Sequence, residues 1–239
     1  MLQAFRSRTA TFISSDEWTR VPFGNRNPSL MQTLLSHTAC ISSLLQQTDT
    51  LLASYHAFDL NQATALCNSY SELSSFMGNW EKSLRFHYPD SIWDLSSPSN
   101  LGPSLPPGRN IWFSDITMAN VYTHLWAFRI ICAIEFDRLL ALWPSADRPL
   151  SVAHSSFPSQ DVQVHNETLA GFICCCMEHL THNDLKFSGP LSAMLPLQTA
   201  YKVYIREKQM SILYVEYIRD VVERLVKKGI RSAPHLVYR

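Results

Sequence analysis

The chain has 239 residues, of which 46% are hydrophobic and 17% are charged, and its formal net charge is zero. This composition excludes an intrinsically disordered chain, because disorder goes with low hydrophobic content and high net charge. It also lacks the basic excess that DNA-binding domains use to neutralise phosphates. A weak basic bias occurs only near the C-terminus, at Arg224, Lys227, Lys228 and Arg231.

Residues 1–28 are predicted to form an extended lead-in. Asn27-Pro28-Ser29 then starts a helix, with Pro28 suited to its first turn, and Asp59 is a good N-cap for a second helix. Residues 88–110 are rich in Pro, Ser, Asn and Gly, which predicts a long surface loop.

The densest apolar periodicity begins after a cap at Ser114 or Asp115 and stops at Trp143-Pro144. Apolar residues surround most of this helix, so we expect it to be central and buried, with Trp126 and Phe136 in the core. The remaining predicted elements are a polar linker over 144–160, a helix from Asp161 to just before Ser188, a short helix over 191–204, and a last long helix over about 206–228 that is capped by Gly229 and Ile230.

These patterns predict an all-α fold, an irregular bundle of about six to seven helices in one domain over 29–239. No apolar run reaches the roughly 18 residues of a membrane span. The N-terminal residues MLQAFRSRTATF lack the apolar stretch of a signal peptide. The six cysteines include the consecutive Cys174, Cys175 and Cys176, and reduced thiols are the simplest interpretation. We therefore expect a protein of the nucleus or cytoplasm, without membrane contact.

Three stretches resemble one family. The first is FISSDEWTRVPF followed by SLMQTLLSHTACISSLLQQTDTLL, and the second is ITMANVYTHLWAFRIICAIEFDRLLALW, with an A-N-x-x-x-x-x-W-x-x-R-I pattern. The third is the ending IREKQMSILYVEYIRDVVERLVKKGIRSAPHL, with its Gly-Ile and Ala-containing tail. Together, in this order, they resemble the C-terminal helical regulatory domain of fungal-specific binuclear zinc-cluster transcription factors, over nearly the whole chain.

One feature of that family is missing from the sequence. Its DNA-binding element has six cysteines at C-x2-C-x6-C spacings among Lys and Arg, and nothing here matches it. DNA binding is therefore not carried over, and we expect no direct binding of nucleic acid. In members of that family, the middle region would already have begun at the position that Met1 occupies here. We therefore expect the chain to be a natural short relative, a truncated gene product or an engineered piece of such a regulator.

Two groups of residues carry the chemistry of metal or acid–base sites. Cys175, His179 and His182 are spaced i, i+4, i+7, which places them on one face of a helix and suits a zinc site. The alternative is a core cysteine and two histidines at a helix C-terminus. Glu135 and Asp137 lie in the most apolar helix, either as catalytic carboxylates or as salt-bridge partners of Arg129, Arg138 and Arg148.

In each case we adopt the structural interpretation and assign no catalytic, cofactor-binding or metal-binding residue. The motifs of serine hydrolases, P-loops and dinucleotide-binding sites do not occur in the sequence. The tryptophans of the helices are interpreted mainly as core, with a pocket lining as the alternative: Trp80, Trp112, Trp126 and Trp143.

The expected function is non-enzymatic transcriptional regulation, and the resemblance implies a link to a secondary-metabolite gene cluster. A protein partner, a second copy or a small apolar effector would act on the domain. The last helix is the candidate contact element, through the apolar stripe Ile212, Val215, Ile218 and Val222, unless the domain's own core consumes that stripe. The alternative function is an enzyme for an apolar metabolite, which requires Glu135, Asp137 or His124 to converge with Cys175, His179 and His182.

Overall fold

The computed structural model describes residues 2–12, 15, 17–18, 21, 26–53, 59–94, 110–142, 161–206 and 212–238. The predicted linker over 144–160, Trp143, Arg148 and most of the predicted loop over 88–110 lie outside these residues. Among the described residues, no helix combines the length and the apolar content that crossing a membrane requires.

The described chain is almost entirely helical, which confirms the all-α prediction. Six of its helices have thirteen or more residues, in agreement with the predicted bundle. The helices are α1 Leu2–Ser7, α2 Leu30–Thr38, α3 Ile41–Ala53, α4 Leu60–His87, α5 Ile116–Leu140, α6 Asp161–Cys175, α7 Met177–Leu180, α8 Ser188–Ser192, α9 Met194–Arg206, α10 Ile212–Lys227 and α11 Ala233–Val237, with 3₁₀ turns at Pro89–Ser91 and Asn183–Leu185.

Two short strands depart from the loop predicted over 88–110. β1, Ile92–Asp94, pairs antiparallel with β2, Ile111–Phe113, and Trp93 lies opposite Trp112. β2 buries Ile111 and Phe113. Because both residues are β-branched or aromatic, they suit a strand that is buried on one face.

The contacts divide the chain into two compact units, and the single domain over 29–239 stays a prediction. Unit 1 contains Met1–Asn79 and Ile131–Ser159, and unit 2 contains Trp80–Ile130 and Gln160–Arg239. Most of α4 and the last ten residues of α5 belong to unit 1. The rest of both helices belongs to unit 2.

Side-chain caps start the long helices where the sequence indicates. Ser29 and Gln32 form a reciprocal capping box at α2, with Pro28 one residue before the cap. The Asp59 carboxylate accepts hydrogen bonds from the first turn of α4, at 2.9 and 3.2 Å. The Asp115 carboxylate does the same for α5, at 2.8 and 3.0 Å. Each cap satisfies backbone N–H groups that have no partner inside the helix.

The core of unit 1 is formed by α2, α3, α4 and the end of α5. Its fully buried side chains include Leu34, Ile41, Tyr70 and Phe136, and each apolar side chain of this size contributes about 1.5–3 kcal/mol. The Tyr70 hydroxyl forms a hydrogen bond with Thr48 at 3.0 Å, so its polar atom is satisfied inside the core. The helix α1 also departs from the extended lead-in predicted for residues 1–28, and Phe5 buries its side chain.

In unit 2, α9 packs against α6 and α11, and α10 packs against both α9 and α11. Ala170 of α6 and Ala200 of α9 are both fully buried. Trp126 is 1% exposed, which confirms its predicted burial in α5.

The predicted cap at the end of α10 is confirmed in detail. Gly229 has φ of +98°, a conformation that side chains disfavour. Its N–H donates to the Val226 carbonyl, and the Ile230 N–H donates to the Leu225 carbonyl. These two bonds define a Schellman cap, and the burial of Ile230 and Leu225 supplies its apolar contact.

Candidate functional site

A buried carboxylate in unit 2, Glu81 of α4, is held by two side chains of α5. Trp126 and Arg129 are three residues apart, so they lie on the same face of the helix. The Trp126 indole N–H donates to Glu81 Oε1 at 3.1 Å, and Arg129 donates to Glu81 Oε2 at 2.6 Å. Arg85, one turn further along α4, donates to Oε1 at 2.9 Å. We call this group the Glu81 clamp.

The Glu81 clamp extends to α6 through Arg129. The Arg129 guanidinium lies 2.9 Å from His165 Nε2. Burial and the charge of Arg129 lower the pKa of His165, which leaves the ring neutral and able to accept this hydrogen bond. The Arg129 guanidinium therefore ties α4 and α6 to α5, and the Glu81 carboxylate balances the positive charge of Arg129.

A second buried carboxylate lies in unit 1. Glu135 is 4% exposed and accepts two hydrogen bonds from Arg8, at 2.9 and 2.8 Å, and one from Arg138 at 2.6 Å. Arg8 also binds Asp49 of α3 through two bonds, at 2.6 and 2.9 Å. Burial opposes the charge on Arg8, but the hydrogen bonds that Arg8 donates to Glu135 and Asp49 outweigh the effect of burial and raise the pKa of Arg8.

This second cluster supports the salt-bridge interpretation of Glu135. Arg138 was among the predicted partners, whereas Arg8 and Asp49 were missed. Asp137, the other candidate carboxylate, is exposed.

His124, the third candidate of the enzyme alternative, is a neutral buried imidazole. Burial lowers the pKa of His124 to about 4. The Nδ1 atom of His124 lies 2.8 Å from the Asn120 carbonyl oxygen, which assigns the ring proton to Nδ1.

The candidate zinc ligands do not lie on one continuous helix. α6 ends at Cys175. The Cys176 N–H is shared between the carbonyl oxygens of Phe172 and Ile173, at 3.2 and 3.1 Å. His179 then lies in the one-turn helix α7, and His182 lies beyond it in extended backbone as the N-cap of a 3₁₀ turn. Among the described residues no group of three His, Cys, Asp or Glu side chains has the arrangement of a metal site.

The convergence required by the enzyme alternative can also be compared with the structure. Glu135 and Asp137 belong to unit 1, whereas His124, Cys175, His179 and His182 belong to unit 2. Of the three candidates, His124 therefore shares a compact unit with Cys175, His179 and His182, and its Nδ1 is paired with the Asn120 carbonyl oxygen.

His179 instead lies among aromatic rings of unit 2. Its ring centroid is 5.5 Å from that of Trp112 and 5.6 Å from that of Phe113, both in edge-on contact. Tyr122 stacks on Phe113 at 5.9 Å, and His182 contacts Trp112 at 5.8 Å. We call these five residues the His179 cluster. Sequence reasoning selected both histidines and, separately, Trp112 as core or pocket lining, but it did not select Phe113 or Tyr122 and did not bring these residues together.

The hydrogen-bonding state of His179 is unusual for a buried side chain. The residue is 8% exposed, and neither ring nitrogen has a hydrogen-bond partner in the part of the chain that the structure describes. Burial and the nearby His182 lower its pKa, so the ring is neutral at pH 7 and offers one donor and one acceptor.

The three consecutive cysteines are buried and do not form disulfides. Burial raises the pKa of Cys174 and of Cys176 well above the usual range, so both are neutral thiols rather than thiolates. Cys40, by contrast, is exposed.

The C-terminal basic residues are largely used inside unit 2. Arg224 forms a two-bond ion pair with Glu178, at 2.7 and 3.0 Å. Lys228 donates to the Thr181 carbonyl oxygen and, at 2.8 Å, to Asn183. Lys228 therefore ties the end of α10 to the segment after α7.

The apolar stripe predicted on the last helix divides into two parts. Ile218 and Val222 are buried, which matches the core interpretation, whereas Ile212 is 62% exposed. Leu213 and Ile205 are also exposed. Tyr204 of α9 stacks on Tyr214 of α10 at 4.3 Å with nearly parallel rings, which brings the last turn of α9 beside the first turn of α10. We call Ile205, Ile212 and Leu213 the α9–α10 apolar patch.

Comparisons of the chain with models of protein families, with curated proteins and with solved structures found no match. The resemblance to fungal zinc-cluster regulators therefore remains a prediction from the sequence.

Proposed function

We propose that this chain is a regulatory domain of transcriptional control that acts without a DNA-binding zinc cluster of its own. The Glu81 clamp is the observation that carries the proposal. Trp126 and Arg129 belong to the A-N-x-x-x-x-x-W-x-x-R stretch, and both bind one buried carboxylate. This stretch therefore holds a helical scaffold together, which fits a domain that binds and responds.

The ending of the chain supports the same interpretation. The Gly-Ile pair forms the Schellman cap of α10, and Ala233 of the tail helix α11 is fully buried. In the first motif, the described residues Glu17, Trp18 and Val21 are exposed. The second and third stretches, together with the part of the first that forms α2 and α3, thus have an architectural role in the described chain.

Regulation by such a domain is indirect. A partner or an effector shifts the equilibrium between two conformations or complexes of the domain. The size of the shift is set by the difference between the ligand's affinities for the two states. The α9–α10 apolar patch offers a contact surface for a protein partner, because large exposed apolar groups gain from burial in an interface. The nucleus as its location and a biosynthetic gene cluster as its target come from the resemblance alone.

The test is deletion of the gene followed by transcript and metabolite profiling. We expect altered levels of several transcripts, restored by the wild-type gene. The double variant Ile212→Glu/Leu213→Glu should not restore them at an equal protein level. The matched control Glu216→Gln, an exposed change on the same helix, should restore them.

The alternative makes a different prediction for the same deletion strain. An enzyme of a biosynthetic pathway leaves the transcripts unchanged and causes one intermediate to accumulate. That pattern would refute the regulatory function.

A further inference from the structure

The contact between Arg129 and His165 fixes the protonation state of the histidine ring. The Arg129 Nη2 atom lies 2.9 Å from His165 Nε2. A guanidinium carries only donors, so Nε2 must supply a lone pair and the ring proton must be on Nδ1. The contact therefore exists only while His165 is neutral.

Protonation of Nε2 is incompatible with this contact. It places an N–H group opposite the N–H groups of Arg129, and two positive charges then face each other at 2.9 Å. The Glu81 carboxylate favours the protonated ring. However, its two oxygens already accept hydrogen bonds from Trp126, Arg85 and Arg129. One of the two facing side chains must therefore leave when the ring gains a proton.

The side chain that leaves is His165, because Arg129 is held more strongly. Arg129 donates to Glu81 at 2.6 Å, in an ion pair whose side chains are 16% and 11% exposed. A hydrogen bond between two charged groups is stronger than one to a neutral acceptor, and departure of Arg129 would leave a buried carboxylate behind. His165 is only partly buried, and the neighbouring Val164 is 47% exposed, so the ring is close to water.

The charges around His165 come from the helices that pack near it. Burial and Arg129 of α5 lower the pKa of His165, and Glu81 of α4 raises it. On α9, which packs against α6, the cations Lys202 and Arg206 are exposed. On α6 itself, Glu167 is two positions from His165, a spacing at which helical side chains do not face each other. The ring is therefore neutral at pH 7 and takes up its proton below the ordinary value of 6.5.

The rest of α6 is fixed by contacts that acid does not change. Leu169, Ala170 and Ile173 are buried. The Tyr204 hydroxyl of α9 donates to the Glu167 carbonyl oxygen at 3.2 Å, and burial raises the pKa of Tyr204, so this hydroxyl stays neutral. Loss of the histidine contact therefore acts on the first turns of α6, before Glu167.

We propose that the Arg129–His165 contact is an acid-sensitive latch on α6. While the ring is neutral, the latch holds the first turns of α6 on the Glu81 clamp, and protonation of Nε2 releases them. The device goes beyond the proposed function and does not depend on a role in transcription.

The experiment follows the full chain by NMR from pH 7.5 to pH 5. At pH 7.5 the ring nitrogen resonances of His165 should show the proton on Nδ1. As the pH falls, the ring should become protonated with a midpoint below 6.5, and the amide resonances of Val164 and Asn166 should move with the same midpoint. The amide resonances of Leu169 and Ile173, in the fixed part of the helix, should stay in place.

The variant His165→Gln separates the latch from other effects of acid. The glutamine oxygen can accept a hydrogen bond from Arg129 and does not titrate, so the Asn166 amide resonance should stay in place over the same pH range. The matched control His87→Gln, at an exposed histidine of α4, should retain the wild-type response.

The proposal is overturned by a proton on Nε2 at pH 7.5, or by a midpoint at or above 6.5. It is also overturned if the amide resonances of the first turns do not follow the ring, or if their response survives in His165→Gln. A ring that stays neutral until the whole chain unfolds would show a permanent tie and no latch. If His165→Gln does not fold, the ring proton and the midpoints of the unaltered chain decide.

Discussion

The Glu81 clamp predicts a large loss of stability when Glu81 is replaced by Gln. The substitution keeps the size of the side chain and removes its charge. Oε1 accepts from Trp126 and Arg85, and Oε2 accepts from Arg129. In glutamine one of these positions becomes an N–H₂ group, which faces a guanidinium donor whichever way the amide is turned.

The magnitude follows from the burial of the partners. The side chains of Glu81 and Arg129 are 11% and 16% exposed, so their ion pair is largely removed from water. Removing one partner of such a pair costs about 3–5 kcal/mol, because the other charge stays buried. Arg85 is 47% exposed, and its ion pair adds at most about 1 kcal/mol. Since Arg129 keeps its contact with His165, we expect the lower end, about 3 kcal/mol.

The assay is urea unfolding followed by far-ultraviolet circular dichroism. Glu72→Gln is the matched control, an exposed glutamate on the same helix, and should stay within about 0.5 kcal/mol of the wild type. Combining Glu81→Gln with Arg129→Gln should cost less than the sum of the two single variants, by about 1–3 kcal/mol. A loss below about 1 kcal/mol for Glu81→Gln, or strict additivity in the double variant, would refute the argument from buried charge.

Three further predictions test other parts of the chain. In Gly189→Ala the new Cβ would collide with the Leu180 carbonyl oxygen, so we expect a loss of about 1–3 kcal/mol in thermal unfolding, and an unchanged midpoint would contradict the close approach. The pKa of His124 is about 4 in the folded chain against 6.5 ordinarily, so protons favour the unfolded state and stability falls as the pH drops below about 6.5. Between pH 7.5 and pH 5 the wild type should lose about 2 kcal/mol more than His124→Gln, and equal slopes in the two proteins would count against the burial of this ring. Ile212→Glu, at an exposed position, should leave the free energy of unfolding within about 0.5 kcal/mol of the wild type in the same urea assay. Ile218→Glu, at a position that is 0% exposed, should cost more than about 3 kcal/mol. Similar losses in the two variants would show that the two parts of the stripe are not distinct.

The helix boundaries were largely predictable because their causes are local. Asp59 and Asp115 cap the helices that follow them, and Gly229 with Ile230 closes α10. In each case the groups that interact are within a few residues of one another, so the chemistry is visible in a short stretch of sequence. The apolar periodicity around Trp126 likewise predicted a helix that is buried on most of its circumference.

The incorrect expectations concern interactions between distant residues. Arg8 binds Asp49 and Glu135, which are 41 and 127 positions away, and no local pattern marks residues 1–28 as more than a lead-in. The spacing of Cys175, His179 and His182 indicates one helical face only if the helix continues. It ends at Cys175, and the histidines turn to other neighbours.

The sequence by itself determined the helical class, the positions of the caps and the apolar faces, because these depend on side chains within one or two turns of each other. The tertiary structure alone decided which charges are paired. Glu81 and Arg129 meet across 48 residues, and His179 meets Trp112 and Phe113 across more than sixty. A buried charge or imidazole takes its chemistry from whatever the packing places within a few ångströms. That is why the helices could be predicted, whereas the Glu81 clamp and the His179 cluster could not.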